Sequence, residues 1–167
     1  MSAGPDPAGR LVVDRVTGTD PAGLRAAAQL FEDYRVHYGE RAAPAETLAW
    51  LQEQVDAGRL GVFTAALDGA VVGLATTTML PASLRLGCFW QVRDLYVLPA
   101  ARRSGAARAL LEQVRREAVA AGALRLALQT ETGNAAALEL YRSIGFRPVE
   151  GLQALVLPLA ADARTLR

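Results

Sequence analysis

The sequence predicts one domain of the mixed α/β (α+β) class, with a mostly antiparallel sheet and about four helices packed on it. Two patterns carry this prediction. Apolar residues recur at helical spacing in four segments, and three β-rich runs follow one another between the second and third of these segments. Three consecutive strands exclude the alternation of strand and helix that a doubly wound parallel sheet requires. With 167 residues and 51% hydrophobic content, the chain can bury one sizeable core.

In the first half of the chain, cap and turn residues delimit a strand, two helices and a hairpin. Asp20 and Pro21 suit the N-cap and the first position of a helix, and apolar residues continue at helical spacing to about Gly39. The dipeptide Asp68-Gly69 favours a tight turn between two β-rich runs. The predicted elements are a strand at 11–16, helices at 20–39 and 44–56, and strands on both sides of residues 68 and 69.

The second half begins with a predicted strand over residues 89–98, which ends at Pro99. A helix is expected to begin near Ser104, because apolar residues from Ala107 onwards then share one face. The remaining predicted elements are a strand at 124–130, a helix at 134–144 and a last strand at 154–157. We expect residues 1–10 to form a flexible N-terminus, residues 11–160 the single domain, and residues 161–167 a C-terminal tail.

Charge and composition disfavour several classes of protein. A net charge of +1, from 18 basic and 17 acidic residues, offers no excess charge for nucleic acid or an anionic membrane surface. No stretch approaches the roughly 20 apolar residues of a membrane span, and the first ten residues lack the apolar core of a signal peptide. The single cysteine, Cys88, excludes an intramolecular disulfide and fits a reducing compartment. We therefore expect a cytoplasmic protein with neither nucleic-acid nor membrane partners and, with one His and one Cys, no metal site.

Small residues and positive charge occur together in ARRSGAARALL, where a strand gives way to a helix. A helix N-terminus carries partial positive charge and free N–H groups, which bind phosphate where side chains are small. Gly105, Ala106 and Ala107 meet that condition, and Arg102 and Arg103 add cationic donors. This pattern indicates an anion site; the alternative is a surface loop with solvated arginines and helix-forming alanines.

Two segments resemble the motifs of a known family. Arg102-x-x-Gly105-x-Ala107, after the strand RDLYV, is similar to the acyl-CoA-binding signature Q/R-x-x-G-x-G/A of the GNAT family of N-acetyltransferases. The segment GNAAALELYRSIGF resembles the family's second motif, in which an Asn starts a helix and a Tyr precedes a Gly-Phe pair. Both motifs occur in the family's order and spacing, and the predicted elements agree with its fold over residues 11–157.

The resemblance implies a binding site for acetyl-CoA as co-substrate. In this family the strand ending at Val97 splays from the strand at 124–130, and the pantetheine arm lies in the gap, bonded to the backbone as an added strand would be. The N–H near Val97 would also polarise the thioester carbonyl. The residues expected to bind the cofactor are Leu95, Tyr96, Val97, Arg102, Arg103, Ser104, Gly105, Ala106, Ala107 and Asn134. For Asn134, helix capping alone is an equally good explanation.

The resemblance also implies catalytic residues and a substrate class. Tyr141 is expected to assist departure of the CoA thiolate as an acid or hydrogen-bond donor, unless it is simply a core tyrosine. Asp94, in an interior strand, either accepts the proton of the amine or is bonded structurally. Other candidate bases are Glu131, Glu32, Asp33, His37 and Glu40. The expected reaction is direct acetyl transfer to the primary amine of a small molecule or peptide; alternatives are a longer acyl-CoA, or a non-catalytic acyl-CoA-binding sensor or interaction module, and a homodimer stays open.

Overall fold

The computed structural model describes residues 9–157 and residue 159, and its sheet has five strands in chain order. The first four strands are antiparallel to their neighbours, whereas the fifth runs parallel to the fourth. The strands are β1 (Leu11–Val16), β2 (Gly61–Leu67), β3 (Ala70–Ala82), β4 (Gly87–Val97) and β5 (Leu126–Leu128). The helices are α1 (Pro21–His37), α2 (Pro44–Asp56), α3 (Ala106–Ala120) and α4 (Ala135–Ile144). The predicted fold class, with its four helices and mostly antiparallel sheet, is confirmed.

Local sequence signals place most of these elements. Asp20 caps α1 by accepting a hydrogen bond from the N–H of Gly23 at 2.9 Å, and Pro21 occupies the first helical position. Asp68 and Gly69 both adopt positive φ angles, 52° and 84°, which a tight hairpin turn between β2 and β3 requires. Among the described helices, none combines the length and apolarity needed to cross a bilayer.

Helices cover both faces of the sheet, so each face has its own apolar cluster. On one face α1 and α2 bury Leu24 and Leu51 against Leu74 of β3. On the other face α3 buries Leu110 and its apolar stripe against β2, β3 and β4. The packing there is close: a Cβ on Gly73 would lie 3.1 Å from Cδ1 of Leu110, so only glycine lets α3 lie this near the sheet.

One irregularity in β4 determines how the sheet ends. Thr76 of β3 pairs with Asp94 while Thr77 pairs with Val92, so Arg93 is an extra residue and forms a β-bulge. Pairing between β4 and β5 stops close to the same point, at Val92 and Leu128. Beyond it the two parallel strands are no longer paired, which confirms the predicted splay.

The structure corrects several predicted boundaries. Helix α3 begins at Ala106 rather than near Ser104, because Arg103 and Gly105 adopt positive φ angles that a right-handed helix excludes. Helix α1 ends at His37, two residues before Gly39, and β5 spans three residues rather than 124–130. Strand β4 begins at Gly87 rather than at residue 89, so the half-buried Cys88 lies within it.

The predicted strand at 154–157 is wrong. These residues follow a turn at Gly151 and form no β-ladder, and Leu155 is 85% exposed. An apolar run becomes a strand only where a neighbour supplies backbone partners, and β5, the adjacent edge, is only three residues long. The predicted tail at 161–167 lies outside the described residues, as does the predicted N-terminus except for residues 9 and 10.

A buried carboxylate joins α1 to α2. Glu32 accepts hydrogen bonds from the N–H of Ala43 at 2.5 Å, from Thr47 Oγ1 at 2.5 Å and from Arg35 Nη1 at 2.7 Å. These bonds, the one from Thr47 above all, lower the pKa of Glu32 below its ordinary value of 4.5. Glu32 is thus part of the scaffold between the two helices and does not contribute to the cleft described below.

We predict that Glu32→Gln destabilises the fold in a pH-dependent way, because an amide supplies one acceptor oxygen where the carboxylate supplies two. Since the folded pKa is lowered, the contribution of ionised Glu32 is present above the ordinary value of 4.5 and is lost as pH falls through the folded value. Urea unfolding should therefore separate wild type from variant most at about pH 7 and progressively less in acid.

The exposed Glu53, paired with Arg59 at 2.6 Å on the surface of α2, is the matched control. Glu53→Gln should change stability by no more than about 0.5 kcal/mol. Equal effects of the two substitutions at neutral pH would show that the Glu32 network does not stabilise the pairing of the helices.

Candidate functional site

A cleft of about 370 Å³ opens where β4 and β5 separate. The ends of both strands form its floor, and residues of α1 and of the segment leading into α4 form its walls. Among the residues predicted from the sequence, those that line it are Asp94, Leu95, Glu131, Asn134 and Tyr141. The splay thus brings together the predicted catalytic pair and part of the predicted cofactor set.

The backbone of β4 presents hydrogen-bonding groups to this gap. The N–H of Leu98 donates to the C=O of Val72 at 2.9 Å, so the even-numbered residues before it, such as Tyr96, also direct their backbone groups toward β3. Leu95 and Val97 therefore direct theirs toward the gap. The bulge at Arg93 sets this alternation, because Trp90, four residues upstream of Asp94, donates instead toward the β5 side, to the C=O of Arg125.

Tyr96 differs from its two neighbours in β4. Its backbone faces β3, and its side chain is buried in the cluster under α1, with its ring centroid 5.6 Å from that of Tyr34. In this structure Tyr96 packs behind Tyr34, which lines the wall of the cleft.

The predicted anion site is a tight loop before α3. Arg103 and Gly105 adopt φ angles of 65° and 88°, and Gly105 is the N-cap of the helix. Ser104 Oγ accepts from the N–H of Ala106 at 3.4 Å, and Arg102 Nε approaches the C=O of Val97 at 3.5 Å. A Cβ on Gly105 would meet nothing within 4 Å, so glycine is required there by the backbone conformation. The space beside Gly105 is therefore open, whereas Ala106, the first residue of the helix, is buried in the core cluster.

Tyr141 lines the cleft and also packs against the core. The residue is half-buried, packs against the α3 cluster, and lies edge-on to Phe146 with ring centroids 5.9 Å apart. Burial raises the pKa of its phenol, and Tyr38 raises it further. The hydroxyl is therefore a hydrogen-bond donor at neutral pH. Asn134, at the start of the same helix, accepts from the N–H of Ala137 at 3.2 Å and thereby caps α4.

Asp94 is a half-buried carboxylate on the floor of the cleft. It accepts a short hydrogen bond from Thr76 Oγ1 of the adjacent strand, which fixes its orientation. Burial raises its pKa above the ordinary value of 3.8, while the bond from Thr76 and the charge of Arg93 act in the opposite direction. A carboxylate with a raised pKa is a better proton acceptor than an exposed one.

Sequence reasoning missed two residues of the cleft, Tyr34 and Tyr38 on α1. Their ring centroids are 4.9 Å apart in an edge-on arrangement, and both side chains line the cleft with Tyr141. Burial, together with the negative charge of Asp94, raises the pKa of Tyr34 to about 12. The available signal was the spacing of four between the two tyrosines, but the same spacing also fits a buried helix face.

Of the other candidate bases, one lies in the cleft. Glu131 follows β5 and borders it, whereas Asp33 accepts a bond from Gln29 of the same helix at 3.2 Å. His37 and Glu40 are exposed at the end of α1, and the His37 ring lies 5.5 Å from that of Tyr38. Within residues 9–157, no group of three His, Cys, Asp or Glu side chains is arranged to hold a metal ion.

A second cleft of similar volume lies between α1 and α2. Phe31 and Trp50 stack in its wall with centroids 5.6 Å apart, next to Arg35. It contains none of the residues predicted from the two motifs. The cleft at the splay is therefore the better candidate for an active site.

We predict that Asp94→Asn stabilises the fold at about pH 7. Because the folded pKa is raised, the contribution of this group favours folding below the ordinary value of 3.8 and is lost as pH rises through the folded value. An asparagine keeps an acceptor for Thr76 and removes the charge. Urea unfolding should show a more stable variant at neutral pH and a shrinking difference in acid.

Glu139→Gln, at an exposed position of α4, is the control for loss of a carboxylate and should leave stability nearly unchanged. If Asp94→Asn were less stable at neutral pH, the bond from Thr76 and the charge of Arg93 would outweigh the cost of burying Asp94.

Similarity to known proteins agrees with this geometry. The sequence matches the family described as acetyltransferase (GNAT) over residues 24–146. An uncharacterised N-acetyltransferase, YhfO, of Bacillus subtilis (strain 168) is 29% identical over 126 residues, which cover 75% of this chain and 85% of that protein. A probable acetyltransferase of Haemophilus influenzae is 31% identical over 88 residues, 52% of this chain and 60% of that protein.

Solved structures show the same fold. The crystal structure of a probable acetyltransferase superposes with a TM-score of 0.82 at 27% identity, covering 89% of this chain and 98% of that one. An aminoglycoside acetyltransferase from an uncultured soil metagenomic sample superposes with a TM-score of 0.75 at 21% identity, covering 89% and 96% of the two chains. Since the family match covers more than half of the sequence, the chain belongs to the GNAT family of acyl-CoA-dependent N-acetyltransferases, as its two motifs predict.

Proposed function

We propose that the protein transfers an acetyl group from acetyl-CoA to a primary amine by direct attack in a ternary complex. The main support for this proposal is that the backbone at the end of β4 and the N-terminus of α3 lie next to each other along the chain. Pairing with β5 ends at Val92, so the backbone of Leu95 and Val97 has no partner strand on the side away from β3. Leu95 lines the cleft, and the loop at the N-terminus of α3 follows shortly after the end of the same strand. An extended ligand with amides at one end and phosphates at the other would fit both.

The cofactor would bind mainly through the backbone. Pantetheine amides would pair with Leu95 and Val97, and the pyrophosphate would accept from N–H groups of residues 103–107. Arg103 and Gly105 adopt positive φ angles in this loop, and the arginine side chains add charge that a phosphate can share. The N–H of Val97 would also polarise the thioester carbonyl as negative charge develops on its oxygen.

The amine must lose a proton before it attacks. With a lysine-like pKa near 10.4, its deprotonation at pH 7 costs about 4.6 kcal/mol. We assign Asp94 as the proton acceptor, directly or through one water, because it faces the cleft, Thr76 fixes its orientation and burial strengthens it as a base. The nitrogen lone pair then forms the new C–N bond at the carbonyl carbon, and the nitrogen loses its second proton to water as the amide forms.

Collapse of the tetrahedral intermediate breaks the C–S bond and releases a thiolate. Tyr141 would donate a hydrogen bond to this sulfur from the helix side of the cleft. A free thiol titrates near 8.5, well below a phenol, and burial raises the pKa of Tyr141 further. Full proton transfer from Tyr141 is therefore unfavourable, and stabilisation of the leaving thiolate by hydrogen bonding is the larger part of its role.

Thermal unfolding with and without acetyl-CoA tests the cofactor site. Ligand at about 100 times its dissociation constant adds roughly 2.7 kcal/mol of stability, so the midpoint should rise visibly, and free CoA should act similarly. Arg102→Ala should weaken binding by about tenfold or more through loss of a charge-assisted bond. Gly105→Glu should abolish it, because the new side chain adds negative charge at the helix N-terminus.

Arg115→Ala is the matched control, since Arg115 is exposed on the same helix away from its first turn. It should keep the full shift. If saturating acetyl-CoA produces no shift in the wild type, the proposed cofactor site is refuted and only the fold remains established.

Tyr141→Phe tests the catalytic assignment. The substitution keeps the ring against Phe146 and removes the hydroxyl, so turnover should fall by about 100-fold, while the thermal shift with acetyl-CoA is retained. Acetylation of a panel of amines, followed by thiol release, is the measurement. Unchanged turnover would make Tyr141 a core residue only, and a wild type that binds the cofactor but acetylates no amine would indicate a binding module.

A further inference from the structure

We propose that this protein takes a compact aliphatic ammonium ion as acceptor and holds it in a cage formed by Tyr34, Tyr38 and Tyr141. This inference rests on the proposed function, because it concerns the acceptor side of the same cleft. It adds a substrate class that neither the family nor the two motifs specify.

Three aromatic rings converge on the cleft from two different elements. Tyr34 and Tyr38 stand one turn apart on α1, and Tyr141 approaches from α4. The ring centroids of Tyr34 and Tyr38 lie 4.9 Å apart, and all three tyrosines line the same cleft. The negative face of an aromatic ring attracts a cation within about 6 Å of its centroid, and several rings around one cavity form the usual receptor for an alkylammonium ion.

The tyrosines are held in place by packing. The ring of Tyr34 lies between those of Tyr38 at 4.9 Å and Tyr96 at 5.6 Å, and Tyr141 packs against Phe146. Rigid rings lose little conformational freedom when a ligand binds, so the cage is largely formed in advance. Tyr38 is the exception, because it is 61% exposed and forms the outer rim.

The charge in the cleft favours a cation. Asp94 and Glu131 line it and carry two carboxylates, whereas Arg93 supplies one guanidinium. With both carboxylates ionised, the formal balance is one negative charge. The half-buried Asp94 lies on the floor of the cleft, where it would meet the ammonium group and also receive its proton.

The volume of the cleft limits the size of the acceptor. At about 370 Å³ it lies near the lower end of the range for small-molecule sites. The thioester end of the cofactor would take part of that space. The remainder suits a small amine better than a large ring system.

Binding of choline, compared with its neutral isostere 3,3-dimethylbutan-1-ol, tests the cage. The two probes share shape and hydroxyl group and differ in charge, and neither can be acetylated on nitrogen. Isothermal titration of the wild-type protein in the presence of CoA should give at least about tenfold tighter binding of choline. Equal affinities for the two probes, or binding of neither, would overturn the proposal.

Variants separate the cage from a general aromatic surface. Tyr38→Leu should weaken choline binding about three- to tenfold, whereas Tyr38→Phe should retain most of it, since the ring remains. Trp50→Leu is the matched control, because Trp50 is an exposed aromatic residue, 44% accessible, in the other cleft. It should leave choline binding unchanged, and an effect equal to that of Tyr38→Leu would contradict the assignment.

Failure of this inference can be told apart from failure of the proposed function. The thermal shift with acetyl-CoA depends on β4 and the first turn of α3, and it involves none of the three tyrosine rings. A protein that binds acetyl-CoA and acetylates amines, yet does not distinguish choline from its isostere, would keep its proposed activity and lose the ammonium cage.

Discussion

The end of the pairing between β4 and β5 is the constraint on which the site depends. In a parallel pair every backbone group between two strands is normally satisfied by the neighbour. Here the ladder stops at Val92 and Leu128, and the bulge at Arg93 shifts the alternation of β4 beyond it. The result is a short length of strand whose backbone groups on that side have no partner strand, so a side chain, a ligand or water must satisfy them.

Packing on both faces of the sheet keeps that gap open. On one side α3 is held close to β3 by Gly73, and its first turn is fixed beside the end of β4. On the other side α1 is tied to α2 through the buried Glu32 and lays its tyrosines along the edge of the gap. Packing holds both strands, because Val92 and Val97 of β4 and Leu126 and Leu128 of β5 contact the same cluster under α3. The open site is thus a consequence of two well-packed layers.

The sequence predicted the fold better than the residues around the acceptor. Helix caps at Asp20 and Asn134 and the turn at Asp68 are local signals, since the residue that makes the contact is three or fewer positions from its partner. The two motifs are local patterns of the same kind, and they predicted the loop before α3 and the start of α4. The strand predicted at 154–157 is absent because a strand needs a partner strand, and the composition of the segment does not show whether that partner is long enough to pair with it.

The residues on the acceptor side of the cleft could not be predicted from their spacing in the sequence, because they come from different helices and strands. Asp94 and Tyr141 are separated by most of α3 and β5, and whether they share a cleft depends on how far two strands diverge. Glu32 and Tyr34 are two positions apart on one helix, yet one faces α2 and the other the cleft. Helical periodicity placed Tyr34 on the apolar face of α1 and left Glu32 as a candidate base, but it could not say which surface each side chain would meet.

The partial burial of Asp94 strengthens it as a base and also disfavours its ionised form in the folded protein. Asp94 is kept in a half-buried position where ionisation is disfavoured, next to phenols that remain protonated. Such a group contributes little to stability at neutral pH, but it is a stronger base than a solvated carboxylate and is already oriented by Thr76. A cationic acceptor would reverse the balance, because its charge favours ionised Asp94 until the proton is transferred. The ionised form of Asp94 is therefore least favoured when the cleft is empty and most favoured when an ammonium ion occupies it. For this reason a carboxylate in this position is consistent with an amine substrate.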